Sequence, residues 1–353
     1  MHIIKDERPL RKVIHVKAIA IILALLVSAV FIIAVTGLNP LEVFQAMIKG
    51  TFSSTKRFMS VLRDTCFLWM ISIGIAPSFK MKFFNNGAEG QVLMGGLISA
   101  GLMINLAGKV NNFVLLVMMA ICAFIFGAIW SGIAGWFKVK YQTNETLFTL
   151  MMNYIAIQIV EFCVDLWDKK HSHVVGIINA GGNEGWLPTV FSNQYSLVYI
   201  IVVIAAIFMH IYMNYTKHGF EIDVVGGSVK TARYAGIDVK RTTLRTVLVS
   251  GGFCGLAGFI NVSGISHTIS AGTAGGKGFT AIIVAWLGKF NIWVMGLISF
   301  MLQFLSKGAV QIASQFNLNE YVADIIIGII LFFIIGSEFF STYRVVFNRK
   351  EKK

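Results

Sequence analysis

Long runs of apolar residues constrain the fold of this chain more than any other feature. Residues 18–36 read AIAIILALLVSAVFIIAVT and carry no charge. About twenty such residues can cross a bilayer as a helix, because a helix satisfies its own backbone N–H and C=O groups. The chain is 56% hydrophobic and 13% charged, against roughly 25% charged residues in soluble domains. The sequence therefore predicts a polytopic membrane protein.

The apolar runs predict an all-α fold with about ten transmembrane or re-entrant helices, and we expect residues 1–353 to form a single transmembrane domain. Segment 279–288 is too short to cross unaided and has Gly-rich neighbours, which favours a half-helix or a re-entrant segment. The predicted helices are 13–37, 59–77, 88–107, 113–137, 145–165, 196–215, 243–264, 279–288, 291–307 and 321–341.

The distribution of Lys and Arg predicts the orientation. With a cytoplasmic N-terminus, 21 of the 30 basic residues fall on the inside and 9 on the outside, as the positive-inside rule requires. Both termini are then cytoplasmic. The net charge of +13 is spread over many loops without interleaved aromatic residues, so it favours contact with anionic lipid headgroups and argues against nucleic-acid binding.

The sequence offers little support for a metal site, a disulfide or a nucleotide site. The run Gly272–Gly278, GTAGGKG, resembles a phosphate-binding loop. Its first glycine, however, is one residue too close to the Gly-Lys pair, and Gly278 stands where Ser or Thr must hold magnesium. Four cysteines in predicted helices are expected to be buried apolar side chains: Cys66, Cys122, Cys163 and Cys254.

Glycine clusters mark helices that can pack backbone to backbone. The stretch SGGFCGLAG, residues 250–258, places Gly251, Gly255 and Gly258 four and three positions apart, and GGLISAG, residues 95–101, is similarly rich in small residues. Small residues at this spacing let helices approach closely. Close packing is therefore the expected role of these glycines, rather than contact with a solute.

Polar residues at membrane depth are the first candidates for function. The stretch FFNNGAEGQ, residues 83–91, runs directly into an uncharged apolar segment, and Asn153 lies inside another predicted helix. Ionisable and amide groups at this depth normally face a bundle interior or a water-filled cavity. Glu89 can stabilise the positive end of its own helix, or the broken helix can expose these groups to a polar solute.

The segment 216–246 is the long cytoplasmic connection in this topology. Its middle part, residues 228–234, is predicted to form a short helix bounded by Gly226, Gly227 and Gly236. Such a helix can dock a soluble partner, although a solvated basic linker is an equal alternative on physical grounds.

Four motifs give the chain a resemblance to a known family. They read FNNGAEGQ, NETLFTLMMNYIA, ARYAGID followed by SGGFCGLAG, and GFTAIIVAWLGKFN, and they run from residue 84 to residue 291. In this order they resemble motifs of ABC-transporter permeases of the simple-sugar and nucleoside importer group. The nucleoside type, which works with basic-membrane-lipoprotein receptors, is the most similar.

This resemblance implies a non-catalytic permease of a bacterial cytoplasmic membrane that transports nucleosides, with simple sugars as the alternative. It implies ATP and magnesium bound by separate ATPase subunits, a substrate-binding lipoprotein, and a second permease that differs from this chain. The expected solute-path residues are Asn85, Asn86, Glu89, Gln91, Asn153, Phe279 and Thr280. The expected ATPase-coupling residues are Asp223, Gly226, Ser228, Ala232, Arg233, Tyr234 and Gly236.

The chain departs from the family pattern at three places that concern function. Asn86 replaces the usual Ile, which adds an amide at a predicted lining position. In the coupling segment, Asp223 replaces an Arg, and Ser228 and Val229 replace an Asn-Pro pair. The charge reversal suggests either a matching change in the ATPase or a permease pair in which this copy couples less strongly.

Other interpretations remain open at the level of sequence. An ion-coupled transporter acting through Glu89 or Asp324 would need no ATPase. A structural or signalling membrane protein would transport nothing. The external segment 166–195 can be a gate, a receptor-docking surface or a plain connection. Stacking on Phe83, Phe84 or Phe279 would favour a nucleobase as ligand.

Overall fold

The computed structural model describes residues 2–5, 10–168, 175–190 and 193–346. Within these residues the fold is helical, with two four-residue strands, β1 (His2–Lys5) and β2 (Tyr343–Val346). The all-α prediction is confirmed. The helices are α1 (Leu10–Thr36), α2 (Pro40–Phe52), α3 (Thr55–Lys80), α4 (Ala88–Leu106), α5 (Asn112–Tyr141), α6 (Glu145–Trp167), α7 (Ser196–Tyr215), α8 (Lys217–Gly227), α9 (Val229–Tyr234), α10 (Val239–Gly264), α11 (Lys277–Leu287), α12 (Ile292–Phe316) and α13 (Glu320–Thr342).

Seven of the helices in the described residues are long and apolar enough to cross a membrane: part of α1, and α3, α5, α6, α7, α10 and α12. The chain is therefore a multi-pass membrane protein. The exact number of crossings and the side of each terminus stay predictions. Several basic residues used for the orientation, namely Arg8, Lys169, Lys170, Arg349, Lys350, Lys352 and Lys353, lie outside the described residues.

Two features differ from the sequence prediction. Helix α2 was not predicted, because Glu42, Gln45 and Lys49 interrupt its apolar residues. It begins with Asn39, whose Oδ1 accepts a hydrogen bond from Leu41 N at 3.0 Å, and with Pro40 at its first position, where the missing N–H costs nothing. The segment 216–246 is mostly helical, since α8, α9 and the start of α10 fill it.

The chain forms two compact units, residues 1–61 with 301–353, and residues 62–300. In the first unit α1 packs along α13, and its core includes Ile32, Val43, Met47, Ile312 and Ile326. Strands β1 and β2 pair antiparallel, with His2 opposite Val346.

The second unit is built around α4, α5 and α10, which pack backbone to backbone through glycines. A Cβ on Gly255 of α10 would overlap Ala123 O of α5, and a Cβ on Gly258 would overlap Val92 O of α4. The packing role predicted for these glycines is confirmed. Their contact surface leaves no space for a solute between the three helices at these positions. The polar candidate residues lie instead around the beginning of α4.

Candidate functional site

Three of the motif segments meet at one place in the second unit, which we call the junction: residues 83–91, Asn153 on α6, and residues 276–278 at the start of α11. Both α4 and α11 begin here. Because the first amides of a helix have no partner within it, two sets of N–H groups must be satisfied in a largely apolar surrounding. The side chains of the junction perform this task.

Glu89 lies in the first turn of α4 but holds the beginning of α11. Its Oε1 accepts a hydrogen bond from Gly276 N at 2.7 Å, and its Oε2 accepts one from Gly278 N at 2.8 Å. A carboxylate is well suited to a helix N-terminus, where the amides and the helix dipole both favour negative charge. The sequence suggested that Glu89 stabilises its own helix; the structure shows that it caps a different one.

The Gly-rich run 272–278 explains why α11 needs this partner. Gly276 precedes the helix with φ of +73° and offers no side-chain cap. A Cβ on Gly278 would lie 2.6 Å from Glu89 N, so only glycine allows this close approach. The resemblance to a phosphate loop therefore has a physical origin: backbone amides bind an anion, which is here the carboxylate of Glu89.

Asn85 and Gln91 form a pair of amides that is doubly hydrogen-bonded. Gln91 Nε2 donates to Asn85 Oδ1 at 3.0 Å, and Asn85 Nδ2 donates to Gln91 Oε1 at 3.3 Å. Asn85 Oδ1 also accepts from Gly87 N at 3.0 Å, and its Nδ2 is 3.5 Å from Ser250 Oγ of α10. The pair joins the turn before α4 to α10.

Asn153 and Thr149 of α6 hold the other side of the junction. Asn153 Oδ1 accepts from Gly90 N at 2.9 Å, and its Nδ2 donates to Asn86 O at 2.8 Å. Thr149 Oγ1 accepts from Asn86 N at 3.1 Å. Residue 86 is thus fixed through its backbone, and its amide side chain makes no hydrogen bond among the described residues.

The predicted solute-path residues fall into two groups. The structure brings Asn85, Asn86, Glu89, Gln91 and Asn153 together, and all except the partly exposed Asn86 are buried. Phe279 and Thr280 lie on the exposed side of α11, where Thr280 Oγ1 donates to Gly276 O at 3.3 Å. Contact of these residues with a solute stays a prediction, and the junction is closed in this conformation.

A group of aromatic rings lies beside the junction. Phe84 and Trp286 are nearly parallel, at an interplanar angle of 13° with centroids 6.5 Å apart, and the buried Phe79 meets both edge-on. Phe84 and Trp286 are 38% and 51% exposed, whereas Phe83 is buried. Of the rings that the sequence suggested for stacking, Phe83 is therefore inaccessible. Sequence reasoning missed Trp286, because it lies among the apolar residues of α11 without a polar neighbour to mark it.

The segment 216–246, which we call the coupling segment, contains the predicted short helix. Ser228 caps α9 by accepting a hydrogen bond from Thr231 N at 3.3 Å, and Gly236 ends it with φ of +75°. Ala232 is buried against Met81, Phe83 and Val247. Arg233 is exposed, and Tyr234 is 93% exposed. The helix predicted over 228–234 is confirmed, and its last residues face outward from this unit.

Asp223 has a partner within the chain. Its Oδ1 lies 2.6 Å from Lys80 Nζ at the end of α3, with half of the Asp223 side chain exposed. The neighbouring Gly226 packs directly against Lys80 O, where a Cβ would overlap. The end of α3 therefore has a carboxylate partner on α8, which gives the unusual residue at position 223 a local role.

Other sequence predictions fall outside these two regions. Cys66 and Cys254 are buried as expected, whereas Cys122 and Cys163 are only partly buried, and all four cysteines are free. Of the external segment 166–195, residues 169–174 and 191–192 lie outside the described residues. The described part, 175–190, packs on the end of α10: Leu187 N donates to Ser263 O at 2.9 Å, and the Trp186 ring stacks 3.7 Å from that of His267. Its role as a gate or a docking surface stays a prediction.

Comparison with known proteins identifies the chain. Residues 57–335 match the family model described as branched-chain amino acid transport system / permease component. The chain belongs to this permease family. The match covers both the junction and the coupling segment, so both are features of the permease itself.

Individual relatives extend over nearly the whole chain. A guanosine ABC transporter permease protein of Bacillus subtilis is 29% identical over 96% of this chain and 97% of its own length. A glucose ABC transporter permease protein of Haloferax volcanii is 26% identical over 94% and 90%. A nucleoside ABC transporter permease protein of Lactococcus lactis is 26% identical over 92% and 91%. The similarity thus includes α1 and α13 as well as the region of the family model.

Proposed function

We propose that this permease is a transmembrane subunit of an ATP-driven importer of nucleosides in a bacterial cytoplasmic membrane. The observation that carries the proposal is the similarity, over more than nine-tenths of the chain, to permease proteins named for guanosine and for nucleosides. A simple sugar is the second candidate, because the glucose permease protein is matched over a similar length.

The coupling segment is the proposed contact with the ATPase subunits. A short capped helix that exposes Arg233 and Tyr234 beside a buried Ala232 is suited to insertion into a groove of a partner. The helix is anchored to the membrane part, because Ala232 belongs to the same buried cluster as Met81 and Phe83. Movement of α9 would therefore reach the junction directly. ATP and magnesium belong to the ATPase subunits, and this chain binds no cofactor of its own.

The relatives also support a second, different permease as partner. Bacillus subtilis has two guanosine permease proteins among the relatives, 29% identical over 96% of this chain and 24% identical over 64%. Lactococcus lactis likewise has two nucleoside permease proteins, matched over 92% and 62% of this chain. The chain resembles one member of each pair over a much greater length, which favours a heterodimer. A substrate-binding lipoprotein completes the proposed transporter.

The junction is the proposed point at which the path opens. Its amides offer both donors and acceptors, which suits a neutral ligand with several hydrogen-bonding groups better than an ion. The carboxylate of Glu89 is occupied by two backbone amides. This observation argues against the ion-coupled alternative through Glu89, because protonation would disrupt the start of α11. The Asp324 side chain lies outside the described residues.

Uptake measurements test this proposal. We would compare radiolabelled guanosine, uridine and glucose in cells with and without the chain, with ATP depletion and an uncoupler as separate treatments. We expect nucleoside uptake that requires the chain and ATP and survives the uncoupler. Uptake of glucose alone would reassign the substrate, and uptake abolished by the uncoupler at constant ATP would replace the ATP-driven mechanism by ion coupling. No uptake of any solute would favour a structural or signalling role.

A further inference from the structure

A cavity of about 420 Å³ lies beside the coupling segment, and Arg233 is the one of the expected ATPase-coupling residues that also lines it. Its walls come from the residues after α3, the end of α5, α9 and the start of α10. Four cationic side chains line it, Lys82, Lys138, Arg233 and Lys240, together with two carboxylates, Glu145 and Asp238. We call this cavity the cationic cleft.

The two carboxylates already have structural roles. Glu145 Oε2 lies 2.8 Å from Lys138 Nζ, and Asp238 Oδ1 caps α10 by accepting a hydrogen bond from Arg241 N at 3.1 Å. Across the described residues, no carboxylate pairs with Lys82, Arg233 or Lys240. The cleft therefore collects three cations whose charge is not balanced by a direct partner, an arrangement that attracts an anion.

The length of α5 places the cleft at the level of lipid headgroups. Its 30 residues extend about 45 Å, which matches a bilayer including its polar regions. Lys138 and Val139 at its end, with Gln142 just after it, form one wall of the cleft. Two residues before Lys138, the exposed Trp136 lies near the exposed Tyr141. The Nζ of Lys140 is 4.7 Å from the centroid of the Trp136 ring. Exposed Trp and Tyr residues with a nearby Lys are typical of the membrane–water interface.

The remaining walls of the cleft are apolar. They include Met81, Phe83, Val225, Val229 and Ile237. A free inorganic anion would gain little from such walls, whereas the glycerol and the first methylenes of a lipid would be partly shielded by them. We propose that the cationic cleft binds the phosphate of an anionic phospholipid headgroup, held by Lys82, Arg233 and Lys240.

Such a lipid would connect three separate elements of the permease. Arg233 lies on α9, Lys240 in the first turn of α10, and Lys82 immediately before the junction. One bound phosphate would hold these three elements together through charge-assisted hydrogen bonds. The lipid site itself does not depend on the substrate or on the ATPase, so it can be tested independently of transport.

The test uses the purified full-length chain in a neutral detergent with phosphatidylglycerol, phosphatidylcholine or inorganic phosphate. Bound lipid is measured by native mass spectrometry, and protection against heat is measured in parallel. The variant is Lys82→Gln/Lys240→Gln. The matched control, Lys49→Gln/Lys109→Gln, removes the same charge from exposed lysines elsewhere. A second variant, Lys82→Arg/Lys240→Arg, keeps the charge and shows whether the positions tolerate substitution.

We expect phosphatidylglycerol to bind and protect the unaltered chain, the control and the Arg variant, and to bind the Gln variant about 30-fold more weakly. This factor corresponds to two lysines, each contributing about 1 kcal/mol at an anionic surface. Equal losses in the Gln variant and the control would show diffuse attraction and overturn the site. Protection by inorganic phosphate equal to that by phosphatidylglycerol would overturn the assignment to a lipid. Unchanged lipid binding, with weaker retention of ATPase subunits by the Gln variant, would show that the cleft serves a protein partner instead.

Discussion

The junction and the coupling segment are both polar regions of a largely apolar chain, yet they use their polar residues in opposite ways. At the junction, Asn85, Glu89 and Gln91 are buried and hydrogen-bonded within the chain. In the coupling segment, Arg233 and Tyr234 are exposed. Polarity alone does not distinguish a residue that stabilises its own fold from one that serves a partner. Burial together with hydrogen bonding makes that distinction.

The largest effect is expected at Glu89. Glu89→Ala leaves the amides of Gly276 and Gly278 without their acceptors. The expected cost is about 1–3 kcal/mol for the buried amide of Gly278 and less for that of the exposed Gly276. The temperature of half-denaturation in detergent should fall strongly, and Glu89→Gln should give a smaller decrease because one oxygen can still accept. The control is Glu161→Ala, an exposed carboxylate on α6. Equal stability of the Glu89 and Glu161 variants would show that the junction does not depend on this carboxylate.

Adjacent glycines provide a matched pair in the coupling segment. Gly226→Ala brings a Cβ into overlap with Lys80 O, whereas a Cβ on Gly227 would meet no atom within 4 Å. Overpacking of this kind costs about 1–3 kcal/mol. We expect Gly226→Ala to lower both thermal stability and retention of ATPase subunits, and Gly227→Ala to change neither. If both variants behave alike, the contact between α8 and the end of α3 is not what holds this segment.

Neighbouring asparagines separate structure from solute contact at the junction. Asn85→Ala removes the acceptor of Gly87 N and of Gln91 Nε2, and should cost about 1–3 kcal/mol. Asn86→Ala should change stability by less than about 0.5 kcal/mol, because its amide side chain makes no described hydrogen bond. If Asn86 lines the path, the KM for uptake rises in this variant. An unchanged KM would remove Asn86 from the path.

Charge reversal tests the role of Asp223. An exposed ion pair contributes about 0–1 kcal/mol, so Asp223→Arg should have little effect on stability. Uptake should decrease, because the new charge repels Lys80 and displaces α8. The double variant Lys80→Glu/Asp223→Arg restores the pair and should restore uptake. Failure of the double variant, with uptake as low as in the single variant, would indicate that Asp223 faces an ATPase surface of matching charge.

The smallest effect concerns pH and His218 on α8. Burial lowers the pKa of His218; Glu221 raises it and Arg245 lowers it further. The unfolded chain, with a His pKa of about 6.5, then binds more protons than the folded chain. The contribution of this residue to stability is complete above about pH 6.5 and is lost as the pH falls below it.

Hydrogen exchange localises this pH effect. The protection factors of amides in residues 217–227, corrected for the intrinsic exchange rate at each pH, should decrease below about pH 6.5, since burial disfavours the charged form of His218. His218→Gln should abolish the pH dependence in this helix, whereas the dependence expected from His267, whose pKa is also lowered by burial, should persist near residues 175–190. Protection factors in α8 that do not change with pH would contradict the assignment.

Some of the fold follows from local sequence. The long helices could be predicted because their apolar runs are local, and α9 could be predicted from Ser228 and the flanking glycines. Helix α2 could not, because its apolar residues alternate with Glu42 and Lys49. The clustering of polar residues in FFNNGAEGQ correctly marked the junction, but the pairing of Asn85 with Gln91 and the position of Trp286 required the spatial arrangement.

The sequence by itself determined that the chain is a helical membrane protein and which segments matter, because hydropathy and helix signals are local properties. Tertiary structure alone decided what the polar residues do. Glu89 and Gly276 are separated by 187 residues and yet are hydrogen-bonded, and Lys80 and Asp223 are paired across a similar separation. Burying a polar group is costly unless a partner is supplied. That partner comes from a distant segment, and its identity is set by how the helices pack.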